Sequence, residues 1–371
     1  MRTVHFVYPH RDRISCPNAI GRKVGERLAG RYRVVHYDID ETRAIEPGPD
    51  DVLLGHPAFE PWTIFRRSLR KAGWKRKLML MPYSHGDGIQ VAFADPVVRR
   101  SDLYLAVTGR TWFESVPDSL FAHWGPKMVH LDLAVDRADF PRVKEGFGAP
   151  GRRKLLYVGH TLWFKNTPYL AEIARRLPGV EVGWMGSGEP IPGLVPHGRL
   201  DFATEEARRR VAEYDFLITV GSSDPNPATI LEAMAWGLVP VCTPESGYAG
   251  EPGIVNVPLG DPERAAEILR GLQELPEERL LEMRAANDDA LERHYNWDRF
   301  TEQIVEAIES DASPACLPVS PGRALAIRRQ AARSPHFVLR PRQLKSGARA
   351  LLASSRAGRA LLARRRGLRC S

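Results

Sequence analysis

Short apolar runs recur along the first 140 residues, and segments with helical spacing of apolar positions lie between them. The runs are continuous rather than alternating, which is typical of parallel strands that are covered on both faces. Strands and helices that alternate in this way favour a doubly wound α/β sheet. The predicted strands are residues 3–8, 34–37, 51–55, 78–81 and 103–107, and the predicted helices are residues 18–28 and 61–71.

A second series of the same kind follows the polar, Gly- and Pro-containing stretch 141–153. The pattern therefore predicts an α/β fold of two Rossmann-like domains whose parallel sheets face each other across a ligand-binding cleft. We expect an N-terminal domain at 1–140 and a second domain at 141–310 that ends in a helix at 293–309. The predicted strands of the second series are 155–158, 180–185, 216–220 and 239–242, and its helices are 168–177, 204–214, 227–236 and 262–275.

Charge is distributed unevenly along the chain, whose net charge is +8. Residues 311–371 contain thirteen Arg, one Lys and one Asp, so this tail carries +13 and the remaining 310 residues carry −5. A mildly acidic body argues against a nucleic-acid surface spread over the fold, so we expect no specific nucleic-acid partner. The tail is predicted to be a basic extension that is partly helical or disordered.

Composition excludes several further classes of protein. Hydrophobic residues make up 43% and charged residues 26% of the chain, a balance that excludes disorder as the whole answer. No run approaches the ~18 consecutive apolar residues of a membrane span, and the N-terminus has no secretory apolar region. The four cysteines are far apart and form no CxxC pair. This argues against a zinc site or a disulfide framework and favours a cytoplasmic protein.

The richest chemistry lies in residues 221–241, where a predicted strand, a polar loop and a predicted helix follow one another. We expect Asn226 to cap the helix and Pro227 to occupy its first position. A helix N-terminus binds phosphate well, because its free N–H groups carry partial positive charge. Asp224 in the loop and Glu232 inside the helix would contact different parts of a ligand, such as sugar and ribose hydroxyls. The alternative is a solvated loop acid and an ordinary helix glutamate.

Residues 224–241 resemble the Glu-x7-Glu signature of retaining, family-4-like glycosyltransferases of the GT-B fold. Glu232-Ala-Met-Ala-Trp-Gly-Leu-Val-Pro-Val is similar to the stretch that follows in that family, with one extra residue before Pro240. The resemblance implies that Asp224, which replaces the first Glu, contacts the donor sugar and that Glu232 binds the ribose of a nucleotide. It covers roughly residues 125–305.

Other segments resemble the same family in the expected order. Gly159, His160 and Lys165 match the strand and loop where an Arg and a Lys clamp the diphosphate, with His160 at the Arg position. Gly186 and Gly188 are similar to the family's Gly-x-Gly-x-Pro turn. The alternative for Lys165 is a surface lysine.

The N-terminal half resembles the family more loosely. His85 follows a predicted strand, as does the family's active-site histidine, which faces the donor; its alternative is a loop-capping histidine. The family's Gly-Gly turn is missing, and residues 15–21 occupy its place.

The resemblance implies a metal-independent glycosyltransferase that needs no cofactor and moves a hexose or related sugar from a nucleotide-sugar donor, with retention, to a glycan or lipid-linked acceptor. Positive potential from Lys165, His160 and the helix start would stabilise the departing diphosphate in place of a metal ion. The alternatives are a non-catalytic nucleotide-sugar-binding or scaffold protein and, further off, an epimerase or phosphorylase of related fold. The expected catalytic residues are His85, Lys165 and Asp224, and the expected donor-binding residues are Gly159, His160, Gly186, Gly188, Asn226, Pro227, Ala228, Thr229 and Glu232.

The tail has leucines among its arginines in residues 347–366, a pattern that suits one or two basic helices at an anionic membrane surface. We therefore expect a protein that is peripheral at the inner face of the membrane. The alternative is a solvated extension that keeps the protein soluble or contacts nucleic acid without specificity.

Overall fold

The computed structural model describes residues 1–11, 15–86 and 88–333, which contain two sheets of six parallel strands each. The first sheet has the order β2-β1-β3-β4-β5-β6 and the second β12-β11-β10-β7-β8-β9. The predicted two-domain α/β fold is confirmed. The strands are β1 (Thr3–Val7), β2 (Arg33–Tyr37), β3 (Val52–Gly55), β4 (Arg76–Pro82), β5 (Leu103–Val107), β6 (Met128–Leu131), β7 (Leu155–Val158), β8 (Val182–Met185), β9 (Val195–Gly198), β10 (Phe216–Thr219), β11 (Val239–Cys242) and β12 (Val255–Asn256).

Helices cover both sheets, and local sequence fixes where several of them begin. The Asp261 and Asn296 side chains cap α9 and α11 by accepting hydrogen bonds from the N–H groups of Arg264 and Arg299. None of the helices in the described residues is long and apolar enough to cross a bilayer. The helices are α1 (Cys16–Leu28), α2 (Ile64–Ser68), α3 (Gly88–Ala92), α4 (Asp95–Val98), α5 (Arg110–Glu114), α6 (Thr167–Arg175), α7 (Glu205–Ala212), α8 (Ala228–Trp236), α9 (Pro262–Glu274), α10 (Glu277–Arg293), α11 (Trp297–Glu309) and α12 (Pro321–Arg333).

Every strand that the sequence pattern predicts is present, and β5, β7 and β11 have the predicted bounds. Strands β6, β9 and β12 and helices α3, α4, α5 and α10 were not predicted, and for the tail that contains α12 only a partly helical or disordered extension was predicted. Strand β9 lies at an edge of the second sheet and is largely exposed, so no apolar run marks it. The β6 strand is also at an edge, with a polar residue, His130, among its four residues.

The last two helices return to the first sheet. Helix α11 packs against α1, and the Tyr32 hydroxyl of the first domain donates a hydrogen bond to Glu309 at 2.5 Å. Helix α12 packs against α3, and its Ile327 is buried in the same apolar cluster as Phe65 and Tyr104. Residues 293–309 were assigned to the second domain and α12 to the tail; the boundaries near residues 140 and 310 stay predictions. The predicted tail helices in 347–366 lie outside the described residues.

Candidate functional site

Loops from the two sheets meet where their parallel strands end. The Ser84 hydroxyl, after β4, lies 2.5 Å from the Ser223 hydroxyl, after β10. The Gly109 N–H, after β5, donates to the Pro225 carbonyl at 2.8 Å. The Trp112 indole N–H donates to the Glu245 carbonyl, after β11, at 2.9 Å. The carboxyl edges of both sheets therefore form one continuous site.

Glycines allow this close contact between the two domains. A Cβ atom at Gly109 would lie 2.0 Å from the Gly247 carbonyl oxygen, and one at Gly247 would lie 2.2 Å from the Pro225 oxygen. Gly247 also has a φ of +90°, which favours glycine. A side chain at Gly109 would push the two domains apart, and one at Gly247 would clash within the second domain and also lie 3.1 Å from the Gly109 Cα of the first.

Lys165 and Asp224 form an ion pair at the centre of this site. The Lys165 ammonium donates to Asp224 Oδ2 at 2.5 Å. Only 9% of Lys165 and 8% of Asp224 is exposed, which excludes the surface-lysine alternative. A short 3₁₀ turn over Trp163–Lys165 brings the lysine from the β7 loop to the β10 loop. Two of the predicted catalytic residues are thus in contact, although 59 positions separate them.

Polar groups at the start of α8 lack partners. The helix begins at Ala228 with Pro227 as its N-cap, one residue later than predicted. The Asn226 side-chain oxygen accepts a hydrogen bond from the Tyr248 hydroxyl. In contrast, the Asn226 amide nitrogen and the Thr229 hydroxyl are buried and have no partner in the described part of the chain. Buried polar groups are normally paired, so two unpaired groups at the start of one helix indicate a place where a polar ligand binds.

Glu232 lies just over one turn into α8 and is half-buried. Burial raises the pKa of its carboxyl to about 7, against the opposing influence of the Lys165 charge. No hydrogen bond from a described residue reaches this carboxyl group. The Glu232 oxygens are therefore available to accept hydrogen bonds from a ligand. At neutral pH the carboxyl group is close to half protonated.

Cys16, at the N-terminus of α1, belongs to the same site and was not predicted. Burial, together with the Glu232 and Asp224 carboxylates, raises the pKa of its thiol to about 12. The start of α1 therefore lies near enough to α8 for their charges to interact. The available signal was the position of Ser15 and Cys16, where the resembled family has its Gly-Gly turn.

His160 lies beside the Lys165–Asp224 pair. Burial and the neighbouring Lys165 charge both lower the pKa of its imidazole, which favours the neutral form. Its Nδ1 accepts a hydrogen bond from the Leu162 N–H at 3.3 Å. A neutral His160 adds no positive charge to this part of the site. The positive charge there comes from Lys165.

His85 lies in the β4 loop, next to the contact between Ser84 and Ser223. Its Nδ1 is 3.1 Å from the Tyr83 hydroxyl and its Nε2 3.4 Å from the Ser115 hydroxyl. The edge of its ring meets Trp112, with 5.0 Å between ring centroids. These partners are side chains rather than loop backbone, which disfavours the loop-capping alternative. Burial lowers the pKa of His85, which favours the neutral imidazole.

Gly159, Gly186 and Gly188 pack two neighbouring loops of the second sheet together. A Cβ at Gly186 would lie 1.8 Å from the Gly159 carbonyl oxygen, and one at Gly188 would lie 2.0 Å from the Thr161 hydroxyl. The Trp184 indole N–H also donates to the Gly159 carbonyl at 2.9 Å. Close loop packing explains these glycines, and their part in donor binding stays a prediction.

Among the described residues, no group of three or more His, Cys, Asp or Glu side chains is placed to hold a metal ion. Metal independence and the absence of a cofactor remain predictions.

Two six-stranded parallel sheets that meet at a shared loop site define the GT-B architecture, and solved structures bear this out. Sucrose-phosphate synthase from Thermosynechococcus elongatus is 12% identical with a TM-score of 0.60, over 82% of this chain and 98% of that one. A trehalose-6-phosphate synthase is 9% identical with a TM-score of 0.60, over 82% and 98% of the two chains. HepE from Anabaena, in complex with UDP and glucose, is 9% identical with a TM-score of 0.58, over 82% and 99%.

These similarities show that the chain has the GT-B fold. No protein-family model and no curated protein matches its sequence.

Proposed function

We propose that this protein is a glycosyltransferase that takes a sugar from a nucleotide-sugar donor bound between its two domains. The observation that carries the proposal is the start of α8, where the Asn226 amide and the Thr229 hydroxyl are buried with no partner among the described residues and Glu232 follows one turn later. This helix start follows the β10 loop, whose Ser223 and Pro225 contact the loops of the first domain. Its orphan donors suit phosphate oxygens, and its carboxylate suits ribose hydroxyls.

The electrostatics of the site suit a departing diphosphate. The N-terminus of α8 and the Lys165 ammonium both supply positive potential that is fixed before the reaction. A bound diphosphate would compete with Asp224 for Lys165, and the freed Asp224 carboxylate would then accept a hydrogen bond from a hydroxyl of the donor sugar. Two hydroxyl donors on Glu232 would lower its pKa and hold it ionised.

We propose retention of configuration as the stereochemical course. A leaving-group oxygen that stays on the same face of the sugar can deprotonate the acceptor there, so no protein nucleophile is needed. Lys165 would stabilise that oxygen while charge develops on it. His85, neutral and held by Tyr83, would line the donor from the first domain.

The test is a titration of UDP, GDP and ADP into the full chain, followed by assays of donor hydrolysis with the corresponding nucleotide sugars. UDP comes first because HepE was solved in complex with it. We expect one nucleotide to bind and its sugar conjugates to be hydrolysed slowly. No binding of any nucleoside diphosphate would contradict the proposal.

A second candidate is a non-catalytic nucleotide-sugar-binding protein. The observation that favours it is the Lys165–Asp224 pair itself, since each charge is already compensated, and His160 beside it is neutral. Binding of a nucleotide sugar with no hydrolysis and no transfer to any acceptor would select this candidate.

We propose a glycan or a lipid-linked molecule as the acceptor, and an anionic membrane surface as the partner of the basic tail. A chain that ends at Arg333 keeps α12 and removes ten basic residues and no acids. The full chain is expected to sediment with phosphatidylglycerol vesicles at low salt and the shorter chain to stay in solution. Equal sedimentation of the two chains would contradict the membrane role.

A further inference from the structure

A second cavity lies on the first domain, apart from the candidate donor site. Its volume is about 640 Å³, within the range of small-molecule sites, and none of its lining residues is a predicted site residue. The loop after β3, the segment around α4 and one face of α12 form its walls. We call it the α12 cavity.

The floor of the α12 cavity is apolar. Phe59 and Phe93 lie with ring centroids 4.8 Å apart, and Ile327 of α12 is buried beside them. Phe59 is 37% exposed, so its ring still presents apolar surface to water. Trp62 and Ala331 extend the same apolar lining. An apolar chain would cover this surface and remove it from water.

Four arginines line the α12 cavity, and two acids accompany them. Asp95 is fully engaged: although burial opposes its ionisation, hydrogen bonds from His123, Trp124 and Arg99 lower its pKa to about 2. Glu60, the other acid, offsets part of the charge of Arg66. The cavity therefore keeps a net positive charge. The arginines are Arg66, Arg99, Arg100 and Arg328.

Arg66 keeps hydrogen-bonding capacity that the described residues do not use, although its guanidinium lies over the Phe93 ring at 5.2 Å. Its Nε is buried with no partner among the described residues, and its terminal nitrogen donates only to the Phe93 carbonyl, at 3.1 Å. Arg100 likewise donates to a carbonyl, that of Pro96, at 2.8 Å. Within the described chain, Arg99 alone of the four arginines forms an ion pair with a carboxylate. An anion beside Arg66 and Arg100 would supply the missing acceptors.

The positive charge of the cavity disfavours the chain's own tail as its occupant. Residues 334–371 contain nine Arg, one Lys and no acid, so they carry the same sign of charge as the cavity. We infer that the α12 cavity binds an apolar chain that carries one anionic group, a phosphate or a carboxylate. This site goes beyond the proposed transferase function, and its occupancy is measurable without a nucleotide.

Calorimetric titration of the full chain with decyl phosphate, below its micelle concentration and at low salt, tests the inference. Decanol, decanoate and inorganic phosphate are titrated in parallel. Decyl phosphate or decanoate is expected to bind about tenfold more tightly than decanol, because the guanidinium groups gain a charged acceptor. Whichever of the two binds more tightly identifies the head group.

Two variants and a control locate the binding. The double substitution Arg100→Gln/Arg328→Gln is expected to weaken binding of the anionic probe about tenfold, and Ala331→Trp to abolish it by filling the floor. Arg329→Gln is the matched control, since Arg329 is an exposed arginine of α12 that does not line the cavity. Equal affinities for decanol and the anionic probes, or unchanged binding in both variants, would overturn the inference. Titration with UDP is expected to be unaffected in every variant, so failure here is distinguishable from failure of the proposed function.

Discussion

Two clusters of polar groups lie within a few residues of each other in the candidate site, and they differ in whether their members are paired. The Lys165–Asp224 pair is complete: each charge is buried and each has the other at 2.5 Å. The start of α8 is incomplete, because the Asn226 amide and the Thr229 hydroxyl are buried with no partner in the part of the chain that the structure describes. A buried pair that loses one member becomes costly, whereas an unpaired group gains when a ligand completes it. We therefore expect the loss of one member of the pair to affect folding as well as catalysis, and changes at the helix start to affect mainly binding.

The largest expected effect tests the complete cluster. Asp224→Ala leaves the Lys165 ammonium buried without its carboxylate, and we expect the free energy of unfolding to fall by about 3–5 kcal/mol. Urea denaturation measures it. Glu26→Ala, which removes an exposed acid of α1, is the control and is expected to change stability by no more than about 0.5 kcal/mol. The double variant Lys165→Met/Asp224→Leu is expected to recover most of the loss, because it removes both charges. A single variant as stable as wild type would mean that water already reaches the pair.

The next effect tests the incomplete cluster. Glu232→Ala removes the acceptor for ribose hydroxyls, so nucleoside diphosphate affinity is expected to fall by roughly 1.5–3 kcal/mol, about 10- to 150-fold. Stability is expected to stay the same or to rise, since the carboxyl group has no partner to lose. Unchanged affinity in calorimetric titration would show that Glu232 does not bind the nucleotide.

The pH dependence of stability separates the two clusters further. The pKa of Glu232 rises from 4.5 to about 7 on folding, so the folded state binds the extra proton more tightly than the unfolded chain. This contribution is full below pH 4.5 and is lost as pH rises through 7. Relative to wild type, Glu232→Gln is therefore expected to gain about 1–3 kcal/mol of stability between pH 5 and pH 8. Parallel stability curves for the two proteins would contradict the raised pKa.

A smaller effect is expected at Thr229. Thr229→Val keeps the shape and removes a hydroxyl without a partner, so stability is expected to change little, while nucleotide affinity falls by about 0.5–1.5 kcal/mol. Thr301→Val is the matched control, because the Thr301 hydroxyl is also buried without a partner but lies on α11. If both variants bind the nucleotide equally well, the Thr229 hydroxyl does not form a hydrogen bond with it.

The smallest expected effect is none at all. If Lys165 and the α8 N-terminus supply all the positive potential that a departing diphosphate needs, EDTA leaves donor turnover unchanged. Loss of turnover in EDTA, with recovery on adding Mg²⁺ or Mn²⁺, would show that these fixed charges are insufficient.

Much of the fold was predictable because its strands are buried on both faces. Continuous apolar runs such as residues 103–107 and 155–158 mark the strands with the correct bounds. The exposed β9 carries no such signal, and β12 has only two residues. Helix α10 was missed because its buried stripe includes a polar residue, Asn287, and a small one, Ala290, which weaken the apolar pattern.

The candidate site was predictable only in part. The start of α8 follows from local capping and turn chemistry, which the sequence contains within a few residues. The Lys165–Asp224 pair depends on two loops from different strands, and Cys16 reaches the site from the other domain. Such contacts follow from the packing of the whole chain. Local capping chemistry and the resemblance to a known family therefore identified the residues, and the tertiary structure decided which of them are paired.

The return of α11 and α12 to the first sheet affects how the protein is made. The last strand of that sheet ends at Leu131, but the core around it also needs Ile327 of α12. A ribosome that adds about 5–20 residues per second needs on the order of 10–40 s to synthesise the intervening chain. During synthesis, the apolar surface of the first domain that α12 later covers therefore stays exposed until the second domain has been synthesised. A gene fragment that stops near residue 140 would leave that surface uncovered permanently and is expected to yield aggregated protein.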